Sequence, residues 1–276
     1  MTQKMISYRG TDIAYTVTGK GAPVVLLHGF GEDSTIWYKQ ASHLKEKYTL
    51  ILPDIPGSGR STLLPGETNG LEDYASCIKA VVQAEGISNF ILIGHSMGGY
   101  ITLAYQEKYP GDLCAFGLFH SSAYADDPAK IETRKKAIEF VKMNGVEAFL
   151  KTSIPGLFKD AEKSTPDIET LLQKGKLFSS TAIIQYYHAM INRPDRTAVL
   201  KNARIPVLLV AGAFDKAIPF EHSLQQSHLP EQTYFNILRN SAHMGMLEET
   251  SNSNEILAYF LQNHSSEKAI ADSIFR

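Results

Sequence analysis

The sequence predicts a doubly wound α/β protein: a mostly parallel eight-stranded sheet, covered on both faces, with a helical cap inserted late in the chain. Three observations predict it. Near-continuous apolar runs recur at residues 24–27, 50–52, 90–93, 113–119 and 207–210, the pattern of parallel strands buried on both faces. Helical periodicity fills the gaps between them. The alternation then stops between residues 121 and 203, where only helical patterns remain.

Each element has a local reason. Residues 5–8 and 13–17 alternate in polarity about Arg9-Gly10-Thr11-Asp12, as an antiparallel hairpin at a sheet edge does. With the five apolar runs and a more mixed one at 233–238, the strands number eight. Helices are expected over 36–47, 71–85, 100–108 and 254–262. Within the strand-free segment they are expected over 128–142, 146–152, 168–175 and 181–191, punctuated by Pro155-Gly156 and Pro166. Residues 1–120 and 204–276 therefore read as the core domain and 121–203 as the inserted cap. The polar tail, 264–276, reads as frayed chain or a short helix.

Composition narrows the function classes. The chain has 276 residues, 43% of them hydrophobic, enough for one large domain with an insertion. Its net charge of -2 carries no basic footprint for nucleic acid. The one basic cluster, Arg134-Lys135-Lys136, reads as a solvated helix face. The longest apolar run, residues 207–213, suits a buried strand and is too short to span a membrane. The first residues, Met1-Thr2-Gln3-Lys4-Met5-Ile6-Ser7, contain no apolar secretory segment. Cys77 and Cys114 read as reduced, buried thiols, so a cytoplasmic location is expected. With no H-x-x-x-H and no clustered cysteines, no metal is expected. Gly57-Ser58-Gly59 lacks the further glycine of a dinucleotide loop, so no cofactor is expected.

The chemistry centres on Gly94-His95-Ser96-Met97-Gly98, a G-x-S-x-G turn between a strand and a helix. Such a turn strains the serine backbone and exposes its hydroxyl. The glycines avoid collisions with the neighbouring strand and helix. A serine is a weak nucleophile alone and needs a base oriented by an acid. His243 lies in the loop after the last strand, on the carboxyl edge where Ser96 also lies. Asp215 occupies the loop after the 207–210 strand, and Asp126 and Asp127, after the 113–119 strand, are its rivals. The expected oxyanion donors are the backbone N–H groups of Met97, at a helix start, and Phe30, in His28-Gly29-Phe30-Gly31. His28 reads as fixing that loop and Asp54 as ordering the Gly57-Gly59 turn. His95 and Trp37 read as packing residues, and His120 and His188 as satisfied or exposed.

These residues resemble the α/β-hydrolase family, in its serine esterase and lactonase members. His28-Gly29-Phe30-Gly31 is similar to the family's oxyanion loop. Asp54-Ile55-Pro56-Gly57-Ser58-Gly59-Arg60-Ser61 is similar to its D-x-x-G-x-G-x-S turn. Gly94 to Gly98 resembles the nucleophile elbow, Gly212 to Asp215 the acid loop, and His243 the base. The order Ser96, Asp215, His243 agrees with the family's, and the motifs extend from Ala22 to Leu261, leaving the cap without one.

The resemblance implies a Ser96–His243–Asp215 triad that hydrolyses carboxylic esters through an acyl-enzyme. Serine at the elbow sets the chain apart from relatives with aspartate there, the haloalkane dehalogenases and epoxide hydrolases. Lactonase, carbon–carbon-bond hydrolase and perhydrolase activities share the triad and stay open. So does a receptor or signalling role, since His28 to Trp37 is also similar to stress-regulator and hormone-receptor relatives. Tyr124, Leu157, Phe158, Tyr187, Phe214 and Met244 are the candidate pocket residues. A small or medium, uncharged acyl group is expected, because no arginine is obviously placed to receive a carboxylate.

Overall fold

The computed structural model describes residues 1–265. The strands are β1 (Thr2–Tyr8), β2 (Thr11–Gly19), β3 (Ala22–Leu27), β4 (Tyr48–Pro53), β5 (Phe90–His95), β6 (Leu113–Phe119), β7 (Val207–Gly212) and β8 (Thr233–Leu238). They form one eight-stranded sheet in the order β1-β2-β4-β3-β5-β6-β7-β8. β1 and β2 make the expected antiparallel hairpin, with Ile6 opposite Ile13, and β2 also runs antiparallel to β4. All remaining pairings are parallel. Every residue of β5 and β7 is buried, which explains their unbroken apolar character. β8 lies at the sheet edge and is mostly half-buried, which explains its mixed sequence.

The strand order places the site. From β3 the chain moves outward to β4 on one side, then returns to lay β5 on the other side. Connections leaving a parallel sheet in opposite directions open a crevice at the carboxyl ends of the strands where the order reverses. The segment at 28–31 leaves β3 at this point, and Ser96 leaves β5.

The helices are α1 (Tyr38–Leu44), α2 (Leu71–Ala84), α3 (Met97–Lys108), α4 (Pro128–Ser153), α5 (Thr165–Gly175), α6 (Ser180–Ile191), α7 (Thr197–Lys201), α8 (Phe220–Gln226), α9 (Gly245–Glu248) and α10 (Thr250–His264). The helix expected over 36–47 divides into a 3₁₀ turn, Ser34–Trp37, followed by α1. α8 and α9, of seven and four residues, are too short for a helical period to show in sequence. α3 begins at Met97, three residues ahead of its apolar periodicity, because Gly98 and Gly99 contribute none. Residues 97–105 of α3 are all buried, so the helix is enclosed by the sheet and by α2. Cys77, in α2, is a buried free thiol; Cys114, in β6, is free and only half-buried. The polar tail lies outside the described residues from position 266 onward. Among the described residues no helix is long and apolar enough to cross a membrane.

Between β6 and β7 the chain is helical, carrying α4 to α7. The break expected between 142 and 146 is a kink inside α4, where Gly145 adopts φ 79° and ψ 169°. A side chain there would strain the backbone. Ion pairs hold the insertion together and tie it to the core. Asp126 accepts from Arg134 Nε at 2.6 Å and from Arg193 Nη2 at 2.8 Å. Arg196, almost fully buried, donates to Glu107 of α3 at 3.0 Å and to Glu72 of α2. Removing one partner of such a pair leaves an uncompensated buried charge. Asp126→Asn is therefore expected to destabilise the protein by about 3–5 kcal/mol, read by urea denaturation; an unchanged midpoint would show that Asp126 does not hold the insertion together.

Candidate active site

Ser96 sits between β5 and α3 with φ 51° and ψ −117°, a conformation rare for a side chain other than glycine. The strain persists because its neighbours leave the backbone no alternative. A Cβ on Gly94 would lie 2.1 Å from the Gly98 carbonyl oxygen, and one on Gly98 would lie 2.5 Å from the His28 carbonyl oxygen. The Ser96 N–H continues the sheet ladder to the Phe119 carbonyl at 3.0 Å, and its carbonyl accepts from Ser121 Oγ at 2.7 Å. Met97, the first residue of α3, presents one of the N–H groups that precede the helical hydrogen-bond pattern.

Asp215 and His243 meet as expected from their loops. His243 Nδ1 donates to Asp215 Oδ2 at 2.8 Å. Asp215 Oδ1 accepts the N–H groups of Ala217 and Ile218 at 2.8 and 2.9 Å, so both carboxylate oxygens are fixed. Burial opposes charge on Asp215, but His243 and His120 outweigh it and hold the carboxyl far below the usual range. An ionised Asp215 fixes the proton on His243 Nδ1 and leaves Nε2 as the basic nitrogen. The rival acids have other tasks, since Asp126 is committed to two arginines and Asp127 caps α4 through the Lys130 N–H.

The positioning contacts of Glu32, His95, His120 and Glu248 have no sequence motif. Glu32 Oε2 accepts the Gly29 N–H at 2.7 Å and faces His95 Nδ1 at 3.0 Å. The other nitrogen of His95 lies 3.0 Å from the His243 carbonyl oxygen. Both contacts call for donation from His95, which an imidazolium provides. Burial opposes its charge, but Glu32 and the His243 carbonyl raise its affinity for a proton; reciprocally, His95 and the Gly29 N–H outweigh burial and lower the Glu32 pKa. His120, fully buried at the end of β6 with φ 49°, lies 3.4 Å from Asp215 Oδ2. Its pKa is pushed down to about 4 by burial, against the pull of Asp215. Donor atoms of His120, Asp215 and His243 all lie within 4.8 Å, a set with metal-binding chemistry that the sequence pattern did not signal. Glu248 accepts the N–H groups of Ala242 and Lys159, at 2.9 and 2.7 Å, joining the His243 loop to the insertion.

The other singled-out residues fall into place. His28 Nδ1 donates to the Gly29 carbonyl at 2.8 Å, and its Nε2 accepts the Ile55 N–H at 2.9 Å and faces Ser58 Oγ at 2.8 Å. It thus binds the 28–31 loop to the turn after β4. Asp54 accepts the N–H groups of Ser34 and Arg60. Trp37 is fully buried, edge-on to Phe119 and His95.

A cavity of about 320 Å³ lies between the elbow and the insertion, with Ser96 and His243 in its wall. Phe30, Leu157, Tyr187 and Met244 line it, alongside Tyr100, Phe149, Met190 and Ile218, which the sequence did not single out. The Phe30 ring packs against Phe149, Tyr186 and Tyr187, so the 28–31 loop is locked to the insertion. The expectations for Tyr124, Phe158 and Phe214 are corrected. Tyr124 packs on His222 and lines a separate cavity of about 90 Å³. Phe158 follows the 3₁₀ turn Pro155–Leu157 in extended conformation and joins the core, while Leu157 takes the cavity. Phe214 is 48% exposed beneath the Lys159 ammonium. His188 is half-buried and outside the cavity wall. The expectation of an uncharged acyl group also loses its basis, because Lys130 and Arg134 of α4 line the cavity. Arg134 is therefore no part of a solvated basic face, although Lys135 and Lys136 are exposed.

Comparison with known proteins agrees with this architecture. Residues 22–122 match the family described as alpha/beta hydrolase fold. A bifunctional esterase/perhydrolase of Acinetobacter calcoaceticus is 27% identical over 242 residues, covering 79% of this chain and 84% of that protein. A thermophilic esterase from Thermogutta terrifontis superposes with a TM-score of 0.89 at 27% identity, over 96% of this chain and all of the other. The enol-lactonase of Burkholderia xenovorans shares the fold, with a TM-score of 0.87 at 17% identity, over 94% of this chain and all of the other. The chain has the α/β-hydrolase fold and is an enzyme of the hydrolase class.

The Glu32–His95 pair makes a pH-dependent prediction. Stability from the lowered Glu32 pKa is complete above its ordinary value of 4.5 and is lost as pH falls through the lowered value. Stability from the raised His95 pKa is complete below its ordinary value of 6.5 and is lost as pH rises through the raised value. Glu32→Gln should therefore cost most between these two limits, about 3–5 kcal/mol, and less on either side. Thermal unfolding across pH measures this; a cost that does not vary with pH would contradict a charged pair.

Proposed function

We propose that the protein is a serine hydrolase that cleaves small to medium carboxylic esters through an acyl-enzyme. The observation that carries this reading is the buried Asp215–His243 hydrogen bond of 2.8 Å opening on the same cavity as the strained elbow serine. In the first step His243 Nε2 takes the proton of Ser96 Oγ as that oxygen attacks the ester carbonyl. The N–H groups of Phe30 and Met97 receive the negative charge that develops on the carbonyl oxygen. Asp215 stays ionised and stabilises the imidazolium. His243 then hands its proton to the departing alcohol, leaving the acyl group on Ser96. Water, deprotonated by His243, releases the acid and restores the serine. A lactone presents the same carbonyl, and its opening follows the same steps.

On this reading residues 121–203 act as a cap that walls the acyl pocket with Leu157 and Tyr187, while Met244 closes it from the base loop. That the Acinetobacter and Thermogutta relatives are esterases favours it. The two free thiols fit a cytoplasmic setting. The scheme uses only side chains and backbone amides. Ser96→Ala should lower kcat on a chromogenic short-chain ester by about 10³-fold or more with the fold intact. Activity retained by the purified variant would overturn the assignment of the nucleophile.

A further inference from the structure

The insertion closes the candidate active site with an unbalanced group of charges. Lys130, Arg134 and Arg193 gather around one carboxylate, Asp126. Arg134 and Arg193 both bond to it, at 2.6 and 2.8 Å. Among the described residues, no carboxylate lies within ion-pair distance of Lys130, whose ammonium donates to the Ala217 carbonyl at 3.2 Å. The other nearby carboxylate, Asp215, is committed to His243. The cluster thus carries three cations against two carboxylates, Asp126 and the His243-bonded Asp215. Partly buried cations in excess of their counter-ions are costly, and such an excess is compensated when an anion enters.

Two of the three cationic residues line the cavity that holds Ser96. Lys130 and Arg134 stand one helical turn apart on α4, on the side that also presents Ala137 to the cavity. Among the described residues Arg134 Nη1 has only the thioether sulfur of Met190 as its hydrogen-bond partner, at 3.2 Å, although a guanidinium N–H bonds far better to a carboxylate. An ammonium with two spare protons and a guanidinium N–H spent on sulfur make an anion-binding pair, in the same cavity as Ser96. Burial and the neighbouring Arg134 lower the Lys130 pKa, with Asp126 and Asp215 opposing, as expected where cationic charge is under-compensated.

We propose that Lys130 and Arg134 bind a carboxylate borne by the acyl part of the substrate, so that the preferred substrates are half-esters of dicarboxylic acids or lactones carrying a carboxylate. This substrate class rests on the serine acyl-transfer reading above, but the anion site does not.

The test compares monoethyl glutarate with ethyl pentanoate, which match in acyl length and differ in charge, with hydrolysis followed by titration of released acid. The expected kcat/KM is about tenfold or more higher for the acidic ester, the scale of one charge-assisted hydrogen bond. In Lys130→Met the ratio should fall to near one, mainly through KM, whereas Lys130→Arg should keep it. Removing an uncompensated cation should also leave the Lys130→Met protein at least as heat-stable as the parent. Glutarate itself, titrated calorimetrically, should bind the Ser96→Ala protein and not the Ser96→Ala/Lys130→Met protein. Equal or better hydrolysis of ethyl pentanoate, or a ratio unmoved by Lys130→Met, would overturn the proposal. Glutarate binding that depends on Lys130, with neither ester hydrolysed, would uphold the anion site and count against the acyl-transfer reading instead.

Discussion

The backbone of Ser96 is held in a left-handed conformation by the close packing of β5, α3 and the segment leaving β3, and the candidate site depends on that constraint. The contacts are between backbone atoms, so they cannot relax by rotating a side chain. At Gly94 and Gly98, on either side of Ser96, a methyl group would collide with main-chain oxygen atoms. The conformation costs on the order of 1–3 kcal/mol locally. It is sustained by a core in which β5 and the first nine residues of α3 are wholly buried, each large side chain contributing roughly 1.5–3 kcal/mol. Its consequence is chemical: Ser96 stands at the reversal of strand order, at the start of a helix whose first N–H groups face the crevice.

Around this fixed point the structure ties its moving parts together through buried polar groups. His95 lies directly beside Ser96 in sequence, yet its ring turns into the interior and joins Glu32 to the His243 main chain. The 28–31 segment, through Glu32, and the His243 loop are thereby held by one imidazole. On the other side, the His243 N–H donates to the Leu157 carbonyl at 2.9 Å, and Glu248 bridges the same loop to Lys159. The insertion is thus fastened to the base loop as well as to α2 and α3. A shift in the insertion would be felt at His243, a direct mechanical link between the cavity walls and the Asp215–His243 pair.

Much of this was legible in the sequence, for physical reasons. Strands buried on both faces must be apolar throughout, so five of the eight announced themselves, and the edge hairpin showed its alternation. The elbow was legible because its glycines are required by close backbone approach, and Asp215 and His243 because loops after parallel strands share one edge of the sheet. Other features left no local mark. Glu32, His95 and His120 act by pairing across 63, 148 and 95 positions of chain, distances over which sequence carries no spacing rule. The basic run Arg134-Lys135-Lys136 looked uniform, but a helix separates its members by about 100° each, so Arg134 enters the cavity while its two neighbours face water. Tyr124, Phe158 and Phe214 were chosen as aromatic residues in the insertion and loops, and their directions depend on single turns such as Pro155–Leu157.

The central claim is that Ser96 carries the acyl group. Intact-mass and peptide mass spectrometry of the protein treated with a fluorophosphonate, which traps activated serines covalently, tests it most directly. The account predicts one phosphonyl adduct per chain on the peptide containing Ser96, formed by the parent protein and lost in the His243→Ala variant. An adduct on another residue, or one at Ser96 that forms equally fast without His243, would contradict it.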